Sequence, residues 1–151
     1  MSKTYVKVRG RWRYLYRAAD QFGQVIDVLL SPKRDKRAAR RFFTRALAGA
    51  TSPTEVTTDR APAYPRIVAD MLPGAAHLTV KYANNRIEAD HSRLKARLRP
   101  TRGMKTDRSL RIIATGHAFI QNLRRGHYEL ATDATTLDQV AVAFTELALA
   151  I

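Results

Sequence analysis

The opening third of the chain holds the feature that most limits its possible folds. Three strand-like runs are joined by two tight turns, and the hydrophobic period then changes abruptly. "TYVKV" (Thr4–Val8) is rich in β-formers, and "RG" at Arg9–Gly10 is a turn signal. "RWRYLYRAAD" (Arg11–Asp20) alternates basic with aromatic or apolar residues, the period of a half-buried strand. "QFG" (Gln21–Gly23) gives the next turn and "QVIDVLL" (Gln24–Leu30) a third strand. Turns this short join antiparallel neighbours, so the segment predicts a meander.

The period then becomes helical. In "SPKRDKRAARRFFTRALAG", Ser31 suits a cap, Pro32 a first helical position and Gly49 a stop. Ala38, Phe42, Phe43, Ala46 and Leu47 form the apolar stripe. "EVTTD" (Glu55–Asp59) reads as a short strand and "RAPAYPRIVADML" as helical from about Pro65. "AHLTV" (Ala76–Val80) reads as a fifth strand, followed by a helix from about Asn84 to Leu98. Thr106 or Asp107 caps a long helix to about Arg125, with Gly126 past its end. A last helix, about Leu137–Ala150, puts Leu137, Val140, Phe144, Leu147 and Ile151 on one face. This order predicts an α/β fold: a mixed five-stranded sheet with helices on both faces, plus C-terminal helices. The ribonuclease H-like (retroviral integrase-like) architecture has this order. Residues 1–132 form its main unit and 133–151 an added C-terminal helix.

Charge narrows the partner. The chain has 27 Lys and Arg against 13 Asp and Glu, a formal net charge of +14 over 151 residues, while 45% of residues are hydrophobic. That is a folded, strongly basic chain, and its expected partner is nucleic acid rather than an anionic membrane surface. Residues 133–151 hold Asp133, Asp138 and Glu146 and no Lys or Arg, so the positive charge lies in the rest. Absence of cysteine excludes disulfides and thiolate metal sites and fits a reducing cytoplasm, at the nucleoid if DNA is the partner. "MSKTYVKVRG" is no signal peptide, and no apolar run reaches the ~20 residues that span a bilayer.

Against this background a few acids stand out. Asp59 ends a strand and would face the crevice at the carboxyl edge of an α/β sheet, although a turn or cap role is the plainer reading. Glu88 lies in the first turn of its helix, with His91 at i+3 and Lys95 at i+7. Asp90 fits the helix dipole and Arg93 three residues on, and His91 reads as a core-edge histidine. Arg86, Arg93, Lys95, Arg97, Arg99, Arg102, Lys105 and Arg108 follow within 23 residues, more than solvation of one face requires. Carboxylates beside such a basic tract suggest Mg²⁺ or Mn²⁺ held for phosphodiester chemistry, with cations neutralising the DNA backbone.

"TYVKVRGRWRYLYRAADQFGQVIDVLLSPKRDKRAARRFF", "TTDRAPAY", "KYANNRIEADHSRLKARL" and "GMKTDRS" together resemble the DDE-type transposases of the insertion-sequence-six family, from about Thr4 to Tyr128. The resemblance implies a ribonuclease H-like catalytic domain that cuts and joins DNA strands with Mg²⁺ or Mn²⁺. Its partners would be transposon ends and target DNA, bound by a homo-oligomer. It implies Asp59 as second acid and Glu88 as third, both metal ligands, with Lys95 as a DNA contact. Arg93, Arg97, Arg99, Arg102 and Lys105 extend the DNA-binding tract. There are departures. Ser2 stands at the position of the first catalytic aspartate, Lys3 at that of the following glutamate, and no helix-turn-helix precedes them. Asp20 is the one candidate replacement. The expectation is an N-terminally truncated catalytic domain, weakly active or inactive. The alternative is a non-catalytic remnant that binds DNA or full-length transposase.

Overall fold

A computed structural model describes residues 1–49, 52–79 and 85–151. Strands β1 (Ser2–Val8), β2 (Arg11–Ala19) and β3 (Val25–Ser31) form the expected antiparallel meander, in the order β1-β2-β3. Arg9 and Gly10 make the first turn, both at positive φ, as a type I′ two-residue hairpin turn requires. β4 (Glu55–Thr57) pairs in parallel with β5 (Ala76–Leu78). Val80 and Asn84, expected at the ends of the fifth strand and the next helix, lie outside the described residues.

The five strands fall into two hydrogen-bonded ladders rather than the single sheet expected. Among the described residues the ladders are joined at Met1: its N donates to Thr57 O, and Asp59 N donates to Met1 O at 3.2 Å. That is the bonding of a parallel bridge between the head of β1 and the end of β4, and it carries the antiparallel ladder into the parallel one. The join also sets Asp59 beside the first residues of β1.

Helices cover both faces. α1 (Lys36–Leu47) and α2 (Tyr64–Met71) pack on one face, where Tyr16, Ala18, Leu29 and Val56 meet Phe42, Phe43, Tyr64 and Val68. α3 (Asn85–Leu98) and α4 (Asp107–Arg124) cover the other, burying Val8, Leu15 and Leu30 against Leu94, Leu98, Leu110 and Ala114. Strand β2 is therefore buried on both sides through Leu15, Tyr16, Arg17 and Ala18, not half-buried as its alternation suggests. It is the middle strand of its ladder, with helices above and below.

Local chemistry sets the ends. α1 begins at Lys36, not beside Ser31, because β3 pairing runs through Ser31 and Asp35 is the cap, accepting from Ala38 N at 2.8 Å. Thr106 caps α4 by accepting from Ser109 N at 3.0 Å. Asn122 pins α4 to β3: its Oδ1 accepts from Val25 N at 2.7 Å and its Nδ2 donates to Val25 O at 2.9 Å. α5 (Gln139–Leu149) packs on the end of α4 through Ala143, Leu123 and Ala131. The expected stripe is only partly buried there. Leu137 and Ile151 fall outside the helix and are exposed, and small Ala143 is its one buried residue.

Candidate active site

Asp59 follows β4 at the ladder junction, and its carboxylate is engaged on two sides. Oδ1 accepts from Ala61 N at 2.9 Å, an Asx turn leading toward α2. Lys3 Nζ donates to Oδ1 and Oδ2 at 3.4 and 3.2 Å. The same ammonium lies 5.1 Å from the centroid of the Tyr64 ring, a cation–π contact that steadies it. Ser2 is almost fully buried, on the sheet face toward α3 and α4. Glu88 is exposed in the first turn of α3, where the dipole favours a carboxylate.

Asp20 closes the β2–β3 turn, its Oδ1 accepting from Phe22 N and Gln24 N at 2.9 Å each. It does not complete a triad: among the described residues no group of three or more His, Cys, Asp or Glu could hold a metal ion. Lys95, Arg97, Arg99, Arg102 and Lys105 are exposed along α3 and the loop after it. Lys95 Nζ sits 4.6 Å from the Tyr5 ring centroid. Arg93 is exposed too, but its Nη1 donates to Gln121 at 3.2 Å and lies 3.8 Å from Asp90. The Arg86 side chain lies outside the described residues.

Beneath α3 lies a charged layer that the sequence reading missed. Asp90 is buried rather than displayed at the helix end. Arg125 Nη2 donates to it at 2.6 Å, and Arg17 Nη1 lies 3.8 Å away. Arg17 is 0% exposed, and none of its three guanidinium nitrogens has a hydrogen-bond partner among the described residues. Burial pulls its pKa below the ordinary value, and Asp90 opposes that pull. His91 and His117 are buried in the same region, each lowered to about 4, first by desolvation and then by Arg17. One signal was available: Arg17 lies two residues from Leu15 on one strand, and so shares its buried face.

A divalent ion suits this donor set poorly. Ser2 offers a neutral hydroxyl and Lys3 an ammonium where the resemblance expects two acids. Relative to that Asp-Glu pair, these two positions are three charge units more positive, one unit from Ser2 and two from Lys3. The ammonium also occupies the carboxylate a metal would need. Asp59 and Glu88 remain as the two acids the resemblance names.

The family model that matches this chain, over residues 1–127, describes a DDE domain of IS240-type transposases. This chain belongs to that DDE transposase family. It is 37% identical over 102 residues to the Staphylococcus aureus transposase for insertion sequence-like element IS431mec, covering 64% of this chain and 46% of the relative. The S. aureus transposase for insertion sequence element IS257 in transposon Tn4003 gives the same figures. A Yersinia pseudotuberculosis protein, pYV0051, is 43% identical over 47 residues, 31% of this chain and 44% of that protein. The DDE chain thus spans about half the length of its curated S. aureus relatives. Among solved structures it resembles a chain of the simian T-cell lymphotropic virus intasome in complex with PP2A regulatory subunit B56 gamma. The TM-score is 0.59 at 15% identity, over 91% of this chain and 51% of that one. The fold is accordingly ribonuclease H-like. No helix among the described residues is long and apolar enough to cross a membrane.

Proposed function

We propose that this DDE domain serves DNA transposition or recombination by binding DNA, while cutting it weakly or not at all. The observation that carries the reading is the Lys3–Asp59 ion pair, 3.2 Å long, beside a serine where the first acid is expected. DDE transposases generally work with divalent metal, for which we take Mg²⁺ or Mn²⁺, and the residues here do not fit such an ion. In this reading residues 1–132 are the DDE unit and 133–151 an appended helix. Asp59 and Glu88 are what remains of the catalytic set. The working surface is Lys95, Arg97, Arg99, Arg102 and Lys105, with Arg93 at its inner edge, which would neutralise backbone phosphates of transposon ends or target. The chain would act at the nucleoid, as a homo-oligomer on DNA or beside a full-length transposase.

Two assays on the purified chain test this. Duplex DNA should bind with a log–log salt slope near −4 or −5, from about five phosphate contacts at roughly −0.9 each. Supercoiled plasmid with Mg²⁺ should stay intact, and the double variant Ser2→Asp, Lys3→Glu should nick it. Strong Mg²⁺-dependent nicking by the unmodified chain, abolished by Asp59→Asn, would overturn the proposal.

A further inference from the structure

We propose that the outer face of the β1–β2 hairpin is a stacking platform for the unpaired bases of single-stranded DNA. Tyr5 and Trp12 stand there 56% and 48% exposed, rings edge to face with centroids 5.1 Å apart. Each ring carries an ammonium: Lys7 Nζ is 4.8 Å from the Trp12 centroid and Lys95 Nζ 4.6 Å from that of Tyr5. Arg9 and Arg11 are exposed at the hairpin tip. Residues 2–19 include Lys3, Lys7, Arg9, Arg11, Arg13 and Arg17 and no acid.

Exposed aromatic faces interleaved with cations are what a single strand needs. Bases stack on the rings and phosphates take the ammonium groups. A duplex keeps its base faces inside its own stack, so the rings select bases that are unpaired. The platform is rigid, since Lys7 and Trp12 are register partners in the β1–β2 ladder. Lys95 joins it to α3, the helix of Glu88 and the basic tract, so a strand leaving a bound duplex would meet the rings next. An aromatic pair that only staples the hairpin would carry the same contacts and bind no base.

This inference rests on the reading that the chain works on DNA, and Trp12 separates the two. It is the chain's one tryptophan, so its emission reports the platform directly. A single-stranded oligo-dT of about 12 nucleotides should quench that emission, and added salt should weaken the effect. By fluorescence anisotropy of labelled oligo-dT, Trp12→Ala should weaken binding roughly 5- to 100-fold, from the usual worth of one base–ring stack. Trp12→Phe should retain most of the binding, and duplex binding should be unchanged in both variants. Far-UV circular dichroism checks the fold. Were Trp12→Ala to unfold, the unmodified chain and Trp12→Phe decide. Duplex binding without quenching by oligo-dT would sink the platform and leave the DNA reading standing. Binding of neither would sink both. Oligo-dT binding that leaves emission unchanged, or that survives Trp12→Ala in a folded variant, would also overturn the platform.

Discussion

Asp90 and Arg17 show how differently two charges can depend on one contact. Asp90 is held by Arg125 at 2.6 Å, so its removal would leave the buried Arg17 guanidinium, and the partly exposed Arg125, without this counter-charge. Asp90→Ala should cost roughly 3–5 kcal/mol in urea unfolding, as breaking a buried pair does. Arg17 is the opposite case, fully buried and with no side-chain hydrogen bond among the described residues. Arg17→Met, of similar length and apolar, leaves Asp90 paired with Arg125 and removes a buried charge, so it should cost less than Asp90→Ala. A large loss for Arg17→Met would mean its charge holds the layer together. At the candidate site, Lys3 pairs with Asp59 at 3.2 Å, and the proposed loss of cutting rests on that pair. A metal site that has lost one of three acids is weakened, and one in which a remaining carboxylate already faces an ammonium is weakened further.

Individual elements differ in how far their residues declared them. The meander was legible, because Arg9–Gly10 and Gln21–Gly23 leave too few residues for any other connection. The α1 stripe was legible through Phe42 and Phe43, though its start was not: Ser31 and Asp35 are both capping residues, and only strand pairing through Ser31 chooses between them. The sides of β2 were misread because alternation reports chemistry, not cover. Arg17 looks like a solvent-side residue until α3 and α4 are laid over it. Asp59 and Glu88 stood out in sequence; Lys3 at Asp59 was hidden, since that pairing spans 56 residues of chain. Two element-scale predictions follow from observed contacts. Thr106→Ala removes the cap of α4 and should cost about 1 kcal/mol. Deletion of residues 133–151 bares Leu123 and Ala131, which Ala143 covers. If exposed Leu137, Leu149 and Ile151 mediate self-association, light scattering should find a smaller species after the deletion. An unchanged mass would remove α5 from any interface.

Across the whole molecule, two properties should be visible in bulk measurements. Stability should fall on acidification. His91 and His117 titrate near 4 in the fold against 6.5 in the open chain, so the unfolded state takes up their protons first. The stability they contribute is complete above about pH 6.5 and drains as pH falls toward 4, at up to roughly 1.4 kcal/mol per unit for each histidine. Melting temperatures across that range check this, and the double variant His91→Gln, His117→Gln should flatten the slope. The second property concerns the central proposal, that in this DDE domain the Lys3 ammonium takes the place of a cation at Asp59. Free Mn²⁺ gives a sharp electron paramagnetic resonance signal that vanishes on binding, so titrating Mn²⁺ with the protein tests the claim most directly. The unmodified chain should leave that signal intact at millimolar protein, and Ser2→Asp, Lys3→Glu should suppress it. Loss of the signal with the unmodified chain, restored by Asp59→Asn, would contradict the claim.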